Sequence, residues 1–152
     1  NAIYALGLAY FQKQDYIGAC DMFAKFQSEF KDSPLCAQAF FMLGTCFLNL
    51  NKFSEALKMF KDTLKLNPQD AELLQKSEYE IADCYYTLGR EKEALERFKL
   101  LRSRYPDSKL TSQVLWWLGQ YYYQHYDLSL ARRYFSSLSG DFPESNGFKN
   151  LN

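Results

Sequence analysis

The chain repeats itself, and that constrains its fold more than any other feature. Leu6-Gly7, Leu43-Gly44, Ile81-Ala82 and Leu118-Gly119 step forward by 37, 38 and 37 residues. Ala19, Ala56, Ala94 and Ala131 follow in the same steps, each twelve residues after the first marker. Four residues further on stand Phe23, Phe60, Phe98 and Phe135, and a fourth marker falls at Lys31, Pro68, Pro106 and Pro143. Self-similarity at such a period is the signature of a solenoid, in which each unit buries its apolar face against the next. The functional question moves with it, from catalysis to binding.

Each unit reads as two helices. Ile3, Leu6, Gly7 and Tyr10 fall at i, i+3, i+4 and i+7, as do Phe40, Leu43, Gly44, Phe47 and Leu115, Leu118, Gly119, Tyr122. The third copy, Glu78, Ile81, Ala82, Tyr85, is imperfect. A small residue in this stripe lets a partner helix come close, which offsets the ~1 kcal/mol helix-propensity cost of glycine. Turns are expected at Gln14-Asp15, Asn51-Lys52, Gly89-Arg90 and Tyr126-Asp127. A proline between units ends one helix, and the Asp or Ser after it can cap the next; Ser33-Pro34 places a cap before a first-turn proline. The helices expected are 1–13, 16–30, 34–50, 53–66, 70–88, 91–104, 108–125 and 128–139. The units are about 1–31, 32–69, 70–107 and 108–145, and 146–152 begins a further repeat or forms a frayed tail. Leu6, Leu43, Ile81 and Leu118 should be buried with the four marker phenylalanines. Asn1 opens inside a helical pattern without a cap, which suggests a fragment of a longer array with open, self-associating ends.

Lys plus Arg and Asp plus Glu each number 18. That balance lacks the basic excess of nucleic-acid or membrane-surface binders. No apolar run reaches the ~18 residues of a membrane span. Cys20, Cys36, Cys46 and Cys84 show no metal spacing and read as small buried hydrophobes without disulfides. His125 has no orienting partner at motif spacing, as a catalytic base would need, and reads as a surface turn residue. No phosphate loop is present, and Glu80 with Asp83 is explained by solvated or helix-stabilising roles more simply than by acid–base work. No catalytic residue, metal or cofactor is expected. The seven cations from Arg90 to Lys109 interleave with Glu91, Glu93, Glu96 and Asp107. They read as a solvated face, with a patch for an acidic partner as the sharper alternative.

Leu-Gly, Tyr or Phe three residues on, then Ala, Phe and Pro, in phase over 1–145, resembles the tetratricopeptide repeat family. Two departures stand out: a period longer than the usual 34, and Lys31 in place of the first proline. The long period, with Tyr-Pro-Asp-Ser-Lys leading into the next helix, is similar to a bacterial subset of outer-membrane assembly and Tol–Pal-associated proteins. The resemblance implies an all-α, right-handed solenoid of four helix pairs whose first helices line a concave, partner-binding groove. From repeat style the compartment is periplasmic or outer-membrane-associated, with a cytoplasmic one nearly as well supported.

In such a groove, positions three before and four after the Gly/Ala marker carry Tyr4, Phe41, Tyr79, Trp116 and Phe11, Leu48, Tyr86, Tyr123. These offsets share a helix face with the position one after the marker. Beside the two ladders stand Thr45, Asp83, Gln120 and Asn49, Thr87, Gln124. The rings either fill space between helices or present rigid, amphipathic binding area; Tyr86, Tyr123, Gln120 and Gln124 are expected to be exposed. The carboxylate clamp of some family members is not formed, since of Tyr4, Leu8, Met42, Lys76 and Glu80 at the matching places only Lys76 fits. The function expected is a non-enzymatic scaffold for a protein or peptide partner, without nucleic-acid binding or membrane insertion. A carbohydrate-contacting module and a self-association module of a cell-envelope assembly remain as alternatives.

Overall fold

The computed structural model describes residues 1–141. Among the described residues eight helices follow one another: α1 (Ala2–Gln12), α2 (Tyr16–Glu29), α3 (Cys36–Asn49), α4 (Phe53–Lys65), α5 (Ala71–Thr87), α6 (Glu91–Arg104), α7 (Thr111–Gln124) and α8 (Leu128–Asp141). No strand occurs among the described residues. The chain falls into two compact units, Asn1–Ala94 and the residues from Leu95 on, with the boundary inside α6. The expected tail at 146–152 lies outside the described residues.

In the first unit α1 packs on α2, α2 on α3, α3 on α4 and α4 on α5. Two sequence markers meet in one contact. A Cβ on Gly7 would come within 2.9 Å of the Phe23 ring, and one on Gly44 within 2.8 Å of the Phe60 ring. In the second unit a Cβ on Gly119 would come within 2.4 Å of the Phe135 ring. The Leu-Gly marker is therefore the floor on which the marker phenylalanine of the same unit lies. Phe23, Phe60 and Phe98 are fully buried and Phe135 nearly so.

Leu6 corrects the expected core. It is 45% exposed, whereas Leu43 is 5% exposed and Ile81 and Leu118 are buried. Leu43 lies on a helix flanked by both α2 and α4, while α1 packs against α2 alone among the described neighbours of the first unit. Asn1 is likewise a cap rather than a helical residue: its side chain accepts from Ile3 N at 2.9 Å.

The inter-helix turns carry a marker that the residue types conceal. Gln14, Asn51, Gly89 and Tyr126 all have positive φ, at 62°, 57°, 75° and 61°. The next amide closes each turn in the same way: Asp15 N to Tyr10 O, Lys52 N to Phe47 O, Arg90 N to Tyr85 O and Asp127 N to Tyr122 O. This is the left-handed helix ending that favours glycine. Tyr126 holds it with a ring that is 90% exposed and gains little packing in return. Tyr126→Gly should stabilise the chain by about 1 kcal/mol, because the left-handed conformation costs other residues roughly that amount. A raised urea midpoint checks this; an unchanged or lowered one contradicts it.

The starts of α3 and α7 differ from expectation. Pro34 lies in a turn before α3 instead of in its first helical turn, and Ser33 Oγ accepts from Leu35 N at 3.2 Å. Ser108 Oγ accepts from Leu110 N in the same way, at 3.1 Å. The next residue then ties the helix to the loop behind it. Cys36 Sγ donates toward Phe30 O and Lys31 O at 2.8 and 3.3 Å. Thr111 Oγ1, two repeats later, reaches Tyr105 O and Pro106 O, both at 3.2 Å. Cys36 is thus a buried hydrogen-bond donor as well as a small apolar residue. All four cysteines are free thiols. Burial first, then the neighbouring Cys20, pushes the Cys46 thiol up to about 12.

Candidate functional site

The ladder three residues before the marker is braced from beneath. Tyr4 meets Phe23 and Phe26 edge-on, with centroids 5.5 and 5.4 Å apart. Phe41 lies 5.3 Å from Phe60, and Trp116 5.4 Å from Phe135. Each ring leans on the marker phenylalanine of its own unit, so it packs along one face and keeps an outer edge. Tyr4 and Phe41 are half-buried, whereas Trp116 is 36% exposed. Burial raises the Tyr4 phenol above its ordinary range.

The second ladder is more open. Tyr123 is 52% exposed, Gln124 is exposed, and Gln120 and Tyr86 are half-buried rather than fully open. Phe11 packs edge-on against Tyr16 at 5.4 Å, and Leu48 is half-buried. The polar residues beside the rings are partly engaged by their own helices. Thr45 Oγ1 donates to Phe41 O at 3.0 Å and Thr87 Oγ1 to Asp83 O at 3.0 Å. Asn49 Nδ2 donates to Thr45 O at 2.8 Å, which uses one of its two amide hydrogens.

On α5 the same face turns acidic and half-buried. Burial, then the neighbouring Asp83, pushes the Glu80 carboxyl up to about 7. Burial alone raises Asp83. Tyr79 is pushed up to about 12 by burial first, then by Asp83 and Glu80. Of the solvated or helix-stabilising roles expected for Glu80 and Asp83, the fully solvated one is corrected: both are half-buried, and Asp83 disfavours the Glu80 charge. Lys76, the residue that fitted a carboxylate clamp, is paired to Glu72 at 2.6 Å. Among the described residues no cluster of three or more His, Cys, Asp or Glu could hold a metal ion. No described helix is long and apolar enough to cross a membrane.

In the second unit a file of rings runs along α7. Trp117 stacks on Phe98 of α6 at 4.1 Å and on Tyr121 at 5.3 Å, and Tyr121 stacks on His125 at 4.1 Å. His125 Nδ1 lies 2.8 Å from Tyr121 O. A carbonyl only accepts, so Nδ1 carries the proton. His125 therefore ends α7 and extends its ring file, a structural role that the turn reading did not include. Tyr122 stacks on Tyr134 of α8 at 5.6 Å, with Lys99 Nζ 5.5 Å from the Tyr122 ring.

The tetratricopeptide repeat pattern matches residues 37–70 in one form and 1–33, 76–108 and 113–145 in another. The chain belongs to the tetratricopeptide repeat family, whose members are in general non-enzymatic scaffolds for protein interactions. No curated protein matches the sequence. Among solved structures it is similar to the MamA 41-end structure from Desulfovibrio magneticus RS-1, at TM-score 0.76 and 17% identity over 95% of this chain and 76% of that one. It is also similar to YrrB, described as a TPR protein with an unusual peptide-binding site, at TM-score 0.74 and 23% identity over 95% of this chain and 69% of that one. PilF of Pseudomonas aeruginosa matches at TM-score 0.72 and 19% identity over 94% of this chain and 61% of that one. These likenesses establish the all-α tetratricopeptide solenoid fold and identify no subset of the family.

Proposed function

We propose that the chain is a non-enzymatic scaffold that binds a polypeptide on the ring-bearing faces of its first helices. The observation that carries this reading is the bracing of the ring ladder. Tyr4, Phe41 and Trp116 are each fixed by a phenylalanine beneath them, so these rings lose little freedom when a ligand lies on them. Tyr123 adds an open ring with Gln124 beside it, able to pair with a ligand backbone. A peptide-binding site described for YrrB, on the same fold, supports the reading by likeness.

The anchors assigned are Tyr86 and Tyr123, with Trp116, Gln120 and Gln124 around the second of them. Tyr123→Ala should weaken partner binding by about 2 kcal/mol, roughly 30-fold, as truncation of an interface anchor does. The test is capture of the partner from the native host, then titration against the Tyr86→Ala and Tyr123→Ala variants in low and high salt. Little salt dependence is expected, because the ladder faces carry few exposed ions for salt to screen. Unchanged affinity in both variants contradicts the assignment, and so does binding that collapses with salt.

A further inference from the structure

The exposure of Leu6 belongs to a whole stripe. Ala2, Ala5, Leu6 and Ala9 are all exposed along one side of α1, while Gly7 on the other side holds Phe23 of α2. No charged residue occurs from Ala2 to Gln12, and a helix that is apolar all round is ordinarily buried all round. The same stripe recurs one and two repeats later, and there it is covered. Ala39, Leu43 and Cys46 of α3 are at most 5% exposed and form one cluster with Ala19, Phe23 and Phe26 of α2. Ser77, Ile81 and Cys84 of α5 are buried too, with α4 packed against that helix. The first unit of the fold thus shows twice what lies on this stripe. It is a second-type helix with an alanine, a phenylalanine four residues on and a third buried residue three beyond that: Ala19, Phe23, Phe26 or Ala56, Phe60, Thr63.

From this equivalence we infer that the open stripe of α1 is a docking site for an amphipathic helix, the second helix of another tetratricopeptide unit. The chemistry it selects is an uncharged face with a small residue where the helices cross and a ring beside it. Ala2, Ala5 and Ala9 leave room for that ring, and Leu6 supplies the apolar surface under it. Stacking of this kind is how repeat units bury what each cannot bury alone. A second copy of the described residues is the weaker match. Its own second helices already bury their marker pairs, Ala19 with Phe23, Ala56 with Phe60, Ala94 with Phe98 and Ala131 with Phe135. It could lend one only by opening a unit. Two α1 stripes laid face to face would set alanine against alanine, which removes little apolar area from water.

The stripe contains none of the ring-ladder positions, so its test is independent of the proposed groove. The probe is a blocked peptide of residues 52–66, the α4 sequence, titrated into the whole chain by calorimetry and by amide chemical-shift mapping. The same peptide carrying Phe60→Ser and a shuffled peptide of equal composition serve as comparators. The α4 peptide should bind, gain helix as it does so, and shift the amides of Ala2, Leu6 and Ala9. In the chain, Leu6→Asp and Ala9→Glu should each weaken it roughly tenfold or more, because docking would then strip water from a carboxylate. Both positions are exposed, so these replacements leave the fold intact, and an unchanged helical circular dichroism signal verifies this. No binding at millimolar peptide, equal binding of either comparator, or unchanged affinity in both variants would overturn the proposal. Shifts confined to α5 would show the peptide replacing α4 and would overturn it as well. A dimer in sedimentation of the chain alone, abolished by Leu6→Asp, would give the stripe to a second copy and overturn the assigned occupant.

Discussion

Phe60→Ala should cost about 3–5 kcal/mol of stability, as truncation of a fully buried aromatic does when its neighbours cannot collapse into the gap. Its neighbours are rigid here. Gly44 is helical backbone directly beneath the ring, and Phe41 leans on it at 5.3 Å. Loss of the Phe60 ring therefore leaves a cavity and also removes the brace of a groove ring. The variant should unfold at markedly lower urea concentration, and whatever folded protein remains should bind partner less well through a loosened Phe41. A loss under about 1 kcal/mol would place Phe60 outside the core and contradict the Gly–Phe contact as the organising unit of the repeat.

The second large effect is electrostatic. Glu80 ionises in the folded chain at about 7, well above an ordinary glutamate, because burial and Asp83 disfavour its charge. A raised carboxyl value means that the folded state binds more protons than the unfolded one between the two values. The Glu80 contribution to stability should therefore be greatest below the ordinary glutamate range and be lost as pH rises through 7. Glu80→Gln removes the titration. At pH 8 it should stabilise the chain by on the order of 2 kcal/mol, the shift discounted for the solvent that Glu80 still meets. At pH 4, where Glu80 is protonated in both states, the variant and the native chain should unfold together. Urea unfolding at pH 4, 6 and 8 decides it: parallel profiles at all three would show that Glu80 is not desolvated in the folded chain.

The parts of the fold that were readable in the sequence share one physical property, a contact that tolerates few side chains. The space under Phe23, Phe60 and Phe135 admits nothing larger than glycine without a shift, so the marker recurs as a letter. The turn geometry is just as regular, but Gln14, Asn51, Gly89 and Tyr126 all adopt it, and only its position could be read. The loop clasp was hidden for the same reason, since a thiol at Cys36 and a hydroxyl at Thr111 do one task. Leu6 has the right spacing for the core, but its burial needs a helix on its other side. Of the candidate site, the two ladders follow from helical spacing. One feature does not: the desolvation of Glu80, which depends on packing.

The central claim is that a polypeptide lies on the first-helix faces. Site-specific photocrosslinking tests it most directly, with the crosslinking residue placed in turn at Tyr86, Tyr123 and Trp116, and at the exposed second-helix positions Lys25 and Lys58. In the presence of the partner, covalent adducts should form from the three first-helix positions and not from Lys25 or Lys58. Adducts from the second-helix positions, with none from Tyr86, Tyr123 or Trp116, would contradict the account.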